Sequence, residues 1–533
     1  MSAPLPLLPR ALPLACMAML MAGCANLNRP ADDAMIKDAM AGTDVPAAWT
    51  TSAQAAAFEP AWAGFAQTGT LQTLIDEALA NNVDLRIAAS RMQQAAHQAR
   101  LAGASLLPTV GIGARTATDP TPGSAFSANG YAVLMNWELD LWGRARAEKL
   151  SGEAGYRSSE ADYAYARQSI GALTARSWIA ALEAGGQLAL ARELENTAGD
   201  QLKLIEYRRR IGRVGELEVA QWSEQVAAAA DVVAQRELAR VQALRALELI
   251  LGRYPAGAAQ ADEAMPDSPA PLAPGLPLAL LDRRPDLVAA RERLVAAYFG
   301  AEEAKAARLP TIAIFAGAGR FTKDYSGLAT SMQSWVFPVG ASLAWPLFDA
   351  GRRQITLQLR TEQQREALAL YARAILGAMA EVENGLTGEQ QLAMREQAIQ
   401  RQYSESRRAL TLAQVQRQIG QFDDFDVLQR KRDALRVQSD LLHIRAERLV
   451  QRVNLHLALG GRFEAVAPIP TATQAATQAA TQAATPPGAD SDQLASRATA
   501  ASPPQTDPLA GDPPLPGHSR SAQPPRAGYS APD

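Results

Sequence analysis

The sequence predicts an α+β membrane protein built by internal duplication, with one β-hairpin and a set of long coiled-coil helices in each half. Three observations predict it. The chain repeats itself: Asp84 to Thr109 aligns without a gap on Asp286 to Thr311, an offset of 202 that carries Pro108 onto Pro310 and Arg91 onto Arg293. Beyond a six-residue insertion the offset becomes 208, carrying Trp137 onto Trp345, Gly143-Arg144 onto Gly351-Arg352, and Leu251-Gly252 onto Leu459-Gly460. Within each copy the apolar period switches from helical to alternating after the shared Leu-Pro-Thr, which marks strands. After each Gly-Arg pair a long stretch follows without proline, from Gly143 to Pro255 and from Pro346 to Pro468.

The first 23 residues stand apart from the fold. Arg10 precedes an apolar run, Ala11 to Met21, which ends in Ala22-Gly23-Cys24. A positive start, a short apolar stretch and small residues before a break form a secretory signal. The run is too short to span a bilayer as a helix. Leu20-Met21-Ala22-Gly23-Cys24 resembles a bacterial lipobox with Cys24 as the lipidated residue, although Met21 stands where Leu is usual. A plain signal peptide with an incidental cysteine is the alternative. Ala25 follows Cys24, so nothing resembles an inner-membrane retention signal. Cleavage removes Cys16 and leaves Cys24 as the one thiol, so no intramolecular disulfide forms. A net charge of −3 over 533 residues gives no reason to expect a nucleic-acid partner.

Residues 24–70, rich in Ala, Pro and polar side chains with sparse aromatics (Trp49, Phe58, Trp62, Phe65), are expected to run extended along the surface. The first repeat covers 71–254. It opens with two helical stretches, the second ending before Pro108, where proline excludes continuation. Its hairpin is placed at 109–141: Val110, Ile112 and Ala114 alternate with Gly111, Gly113 and Arg115, and Tyr131 to Trp137 form the return strand. Long helices are expected over 144–250, with a bend at Gly185-Gly186 and a break at Ile211-Gly212. The stretch from Arg144 to Ile211 would be a helix of roughly 100 Å, and its Arg, Glu and Gln content excludes a membrane span. A connector at 255–276 leads into the second repeat at 277–466, with its hairpin at 311–347 and long helices over 352–460. From 467 to 533 the Thr-Gln-Ala-Ala repeats and Pro-rich sequence predict a disordered tail.

Four strands in two hairpins cannot close a membrane barrel alone, since exposed sheet edges are not tolerated in lipid. Bacterial barrels begin at about eight strands, so closure demands oligomerisation. A dimer gives the minimum, and a trimer leaves an interior wide enough for a channel. A lipid anchor, alternating strands and very long polar helices together describe a barrel in the outer membrane continued by a helical tube.

The motifs then resemble a known family. Ala78-Leu79-Ala80-Asn81-Asn82-Val83-Asp84-Leu85, Trp137-Glu138-Leu139-Asp140-Leu141-Trp142-Gly143-Arg144, Leu280-Leu281-Asp282-Arg283-Arg284-Pro285-Asp286-Leu287 and Trp345-Pro346-Leu347-Phe348-Asp349-Ala350-Gly351-Arg352 match, in order, those of TolC-like outer-membrane efflux lipoproteins of the NodT/OprM branch. The match runs from about Trp62 to Gly461, and Arg291 departs from it where the family often has Glu. The resemblance implies a homotrimer with a twelve-stranded β-barrel and a periplasmic α-helical barrel. It implies a passive duct for drugs or other small molecules, seated in outer-membrane lipid. Its partners would be a periplasmic adaptor and an inner-membrane pump of the resistance-nodulation-division type. A type I protein-secretion duct shares the fold and is the alternative.

No catalytic constellation stands out, and an enzyme is not expected. His97, His443, His456 and His518 are scattered without metal-ligand spacing, and no phosphate loop is present, so neither metal nor cofactor is expected. By the resemblance, Ile211, Gly212 and Val214 and their counterparts Ile419, Gly420 and Phe422 form tips that meet the adaptor. The plainer reading is that each glycine caps a helix. The family's acidic periplasmic aperture falls on Asp426, with Gln429 where a second acid is usual. Asp423, Asp424 and Glu218 add nearby charge. Asp423 and Asp424 also suit a helix N-terminus, where the dipole favours acids.

Overall fold

The structure is a computed structural model that describes residues 27–43, 45–51, 69–117, 128–261, 264–267, 273–322 and 335–463. The expected signal peptide with Cys24, the residues Phe58, Trp62 and Phe65, the distal parts of both strand loops and the expected C-terminal tail lie outside the described residues.

The duplication is visible element by element. The first repeat holds α2 (Gly69–Asn81), α3 (Val83–Ala104), β1 (Thr109–Ala117), β2 (Ala128–Leu139), α4 (Arg144–Arg210) and α5 (Glu216–Ile250), preceded by α1 (Asp32–Ala39). The second holds α6 (Leu280–Arg283), α7 (Pro285–Ala306), β3 (Thr311–Thr322), β4 (Trp335–Val336), β5 (Val339–Ala344), α8 (Arg352–Gln418) and α9 (Asp424–Ala458). Helices α4 and α8 each have 67 residues, and α5 and α9 each have 35. The longer pair therefore reach about 100 Å at ~1.5 Å per residue. No described helix is long and apolar enough to cross a membrane.

Helix α4 is unbroken at Gly185-Gly186. Gly186 and Gly171 serve close approach: a Cβ on Gly186 would lie 2.6 Å from Leu442, and one on Gly171 would lie 2.6 Å from Phe463. Small residues such as Ala147, Ala154 and Ala172 are fully buried along the same helix and let its neighbours come close.

Two apolar cores repeat the duplication. Ala78, Leu85, Leu247 and Leu251 lie in the first core, and their counterparts Leu280, Leu287, Leu455 and Leu459 lie in the second. Polar side chains at matched positions close each half. Asn82 caps α3 by accepting from the Leu85 N–H at 3.1 Å and donates to the Ile250 carbonyl at 2.8 Å, joining it to the last turn of α5. Arg284, 202 residues on, donates to the Ala458 carbonyl at the end of α9 and binds Asp286 and Glu381. The Arg-Arg-Pro-Asp motif is thus a structural clasp. At the next matched pair, Glu248 accepts the N–H groups of Gly257, Ala258 and Ala259 at 2.6–2.9 Å, and His456 lies 3.1 Å from the Arg462 carbonyl. Burial pushes the His456 imidazole down to about 4, so it sits in the core as a neutral group.

The described residues of the N-terminal segment, 27–43 and 45–51, are not merely extended. They form α1 and pack Met35, Met40 and Trp49 into the second core. Trp49 donates to the Gly275 carbonyl at 2.9 Å, and Glu383 accepts from the Thr50 N–H at 2.7 Å. Arg29 reaches buried Glu292 at 2.7 Å, and Arg291 binds Asp32 at 3.2 Å. The departure at Arg291 therefore holds the N-terminal segment in place.

The strands form one antiparallel sheet, in which the two hairpins lie side by side through β2 and β3. The expected last strand is split. Phe337-Pro338 separates β4 from β5, because proline has no N–H to give the ladder. The Pro338 carbonyl still accepts from Gly317 at 2.8 Å, so the two pieces act as one strand against β3. Strand β5 ends at Ala344, three residues before the expected limit at Leu347.

Candidate functional site

One face of the sheet is the more apolar, with Arg320 as its charged residue near the loops. The registers place Val110, Ile112, Tyr131, Val133, Trp137, Ile312, Ile314, Val339 and Leu343 on this face, in adjoining rows. Ile112 is 82% exposed in the single chain. Aromatics mark both ends of this face. Tyr131 and Trp335 pack edge to face at 6.5 Å near the loops, and Trp137 stands six residues along β2, next to the helices. Six residues of strand span about 20 Å, near the ~25 Å apolar band of an outer-membrane barrel. The opposite face carries the small residues Gly111, Gly113, Ala313, Gly317, Gly319 and Gly340 and the polar Asn136, Glu138 and Ser342, with Leu134, Phe315 and Val336 as its larger apolar side chains. Glu138 accepts from Arg144 at 3.0 and 3.1 Å at the start of α4. Among the described strands, β1 has no partner on one side, and β3's outer neighbours β4 and β5 have none beyond them.

The corners between sheet and helices are fixed by backbone need. Gly143 and Gly351 precede α4 and α8 with φ of 78° and 82°, a left-handed conformation that favours glycine. Asp140 then accepts the N–H groups of Ala145 and Arg146 at 3.0 Å, and Asp349 accepts those of Gly351 and Arg353 at 3.1 and 3.2 Å.

At their far ends α4 and α8 close in the same turn. Gly212 has φ +72°, its N–H donates to the Arg209 carbonyl at 2.9 Å, and the Arg213 N–H donates to the Arg208 carbonyl at 2.9 Å. Gly420 has φ +76°, donates to the Arg417 carbonyl at 3.1 Å, and is followed by Gln421 donating to the Gln416 carbonyl at 2.9 Å. These paired bonds are the Schellman closure of a helix C-terminus. Ile211 and Ile419 stand exposed at 49% and 65%, with Phe422 also exposed and Val214 half-buried.

The acids after the second turn have defined tasks. Asp423 caps α9, its Oδ1 accepting the N–H groups of Phe425 at 2.8 Å and Asp426 at 3.1 Å. Asp426 reciprocates, its Oδ2 accepting the Asp423 N–H at 3.1 Å. Asp423 and Asp426 thus form a capping box, in which each side chain accepts the other's backbone N–H. Asp424 pairs with Arg417 and Glu216 with Arg209, each closing its own turn. Glu218 is exposed in the first turn of α5. Gln429, in the second expected acid position, accepts from Arg432 at 3.0 Å.

The two turns are also tied to each other, a link that the sequence pattern does not reveal. Arg208, in the last turn of α4, pairs with Asp423 across the two repeats and lies over the Phe425 ring at 5.3 Å. Phe425 packs edge to face on Trp222 of α5 at 5.2 Å, and Arg432 covers Trp222 at 5.3 Å. The Arg208-Arg209-Arg210 run is the one available signal, but its partner lies 215 residues away in sequence. Among the described residues no group of three or more His, Cys, Asp or Glu could hold a metal ion.

The family model for outer membrane efflux proteins matches residues 74–253 and 276–461. The pyoverdine export outer membrane protein OpmQ of Pseudomonas putida is 30% identical over 459 residues, covering 80% of this chain and 94% of that protein. The toluene efflux pump outer membrane protein TtgC of Pseudomonas putida is 30% identical over 427 residues, covering 77% of this chain and 87% of that protein. The solved outer-membrane channel OprN superposes with a TM-score of 0.71 at 25% identity, covering 79% of this chain and 98% of that one.

Proposed function

The chain belongs to the outer membrane efflux protein family, and from that premise we propose that it works as a homotrimeric duct whose two helix tips dock a periplasmic adaptor. It is an outer-membrane efflux channel, a class of protein that is not enzymatic. Such a channel works with an adaptor and an inner-membrane pump, here of the resistance-nodulation-division type. The observation that carries the reading is the sheet: apolar and aromatic-rimmed on one face, open at both edges, and continued by two 67-residue helices. Three chains close those edges into twelve strands, with the apolar face toward lipid and the glycine-rich face toward the lumen. Relatives are named for pyoverdine and for toluene, cargo with little chemistry in common. The cargo of this duct is then small molecules handed over by its pump.

At the periplasmic end, Asp426 and Glu218 from three chains would surround one axis and favour cations, with Asp423 and Asp424 beside them paired to Arg208 and Arg417. Asp426 serves both the capping box and this ring, and two variants separate the roles. Asp426→Asn keeps an oxygen for the Asp423 N–H and removes the charge. Asp426→Ala removes both, at about 1 kcal/mol of cap stability. In planar bilayers both are expected to lose cation preference, with Asp426→Ala also raising resting conductance. Unchanged ion selectivity in both variants would remove Asp426 from the aperture and leave it a cap alone.

A further inference from the structure

The two tips share a turn but not a chemistry. Across the 208-residue offset the apolar residue and the glycine are kept, Ile211-Gly212 against Ile419-Gly420. The charges are not: Arg208, Arg210 and Arg213 of the first tip stand where the second has Gln416, Gln418 and Gln421. The second tip is therefore an internal control for what the turn requires. It makes the same pair of C-terminal hydrogen bonds at the same positive φ without those three arginines.

Arg208 has a use within the chain, since it binds Asp423 and covers Phe425. Arg210 and Arg213 do not share it. Both are exposed. Arg210 lies over the Tyr207 ring at 5.8 Å; of the two acids that follow this turn, Glu216 is held by Arg209 and Glu218 is exposed. A cation in the last helical turn gains about 0.3–1 kcal/mol from the helix dipole. That accounts poorly for the pair, because Gln418 closes the matching helix and Arg213 lies beyond the helix end.

We propose that Arg210 and Arg213 make the first-repeat tip a receptor for an acidic segment of the periplasmic adaptor. The second tip, with Ile419, Gln421 and Phe422, meets a surface without that requirement. The two docking positions offered by each chain are then chemically distinct, and an adaptor is steered to the first by charge. Complementary charge acts on specificity and encounter rate more than on final affinity. This inference rests on the tips being the docking site.

The test uses the full chain in its own cells, with a photo-reactive residue at position 214 or 422 to capture the adaptor. Arg210→Gln with Arg213→Gln copies residues the second tip already folds with, so it isolates the charge. It is expected to lower adaptor capture from position 214 several-fold and to leave capture from position 422 unchanged. Arg210→Glu with Arg213→Glu is expected to abolish capture from position 214. Selection for restored efflux in that background should then return adaptor variants in which Asp or Glu has become Lys or Arg. Capture from position 214 that survives both double variants at the unsubstituted level overturns the proposal, as do suppressors confined to apolar adaptor positions. Failure of the unsubstituted chain to capture an adaptor from either position sinks the docking assignment itself, a result separable from loss of charge selectivity alone.

Discussion

Asparagine at both Gly212 and Gly420 is expected to abolish efflux while leaving the protein folded and in the outer membrane. Both glycines have φ between +72° and +76°, and a Cβ at either would meet no heavy atom within 4 Å. Asn accepts the left-handed conformation better than other side chains, so each change costs about 1 kcal/mol or less of stability. The added side chain points into open space at the end of the molecule, where the proposed adaptor contact must approach the backbone. If the glycines serve only as helix caps, Asn serves nearly as well and efflux continues. Drug accumulation in cells separates the two readings, with heat stability and membrane abundance as the control. Unimpaired efflux in the double variant would return both glycines to a capping role.

Gly252→Val is expected to do the reverse and destroy the fold. Gly252 has φ +74°, nearly that of Gly212, and it too follows a long helix. The difference is packing. A Cβ on Gly252 would lie 2.7 Å from the Asn81 carbonyl oxygen, where the first clasp of the half is made. A β-branched residue in this conformation is a true outlier, costing about 1–2 kcal/mol before any clash is counted. Backbone of Asn81 must then move, and with it the Asn82 bond to Ile250. Gly460→Val should fail in the same way, because its Cβ would lie 3.2 Å from the Arg283 backbone. Both variants are expected to vanish from the folded outer-membrane fraction, and full abundance of either would contradict the clasp. Four glycines of one backbone type thus divide into two that the fold needs and two that it does not.

Much of this is legible in the sequence. The offset between copies locates both sets of helices, and period-two alternation finds the strands. Proline-free runs and the Ile-Gly turns place the ends of α4 and α8. What cannot be read is what depends on contact between distant residues. Pro338 is visible, but that β4 and β5 remain one strand depends on the Pro338 carbonyl meeting Gly317. Helix α1 is short and of mixed composition, and it is held by Glu292, Arg291 and the second core, more than 200 residues away. The family resemblance points to Asp426 as an aperture residue, whereas the contact seen is that its carboxylate completes a cap with Asp423. The Arg208–Asp423 link joins the two repeats, and the repeat alignment alone contains no sign of it.

In the proposed duct, the described sheet is one third of a closed barrel. Native mass spectrometry of the full chain, released from detergent after purification from the outer membrane, counts the copies directly. Three chains per particle is the predicted result, giving twelve strands around an open lumen. Two chains, closing a barrel of eight strands, or a single chain with its edges unpaired, would contradict it.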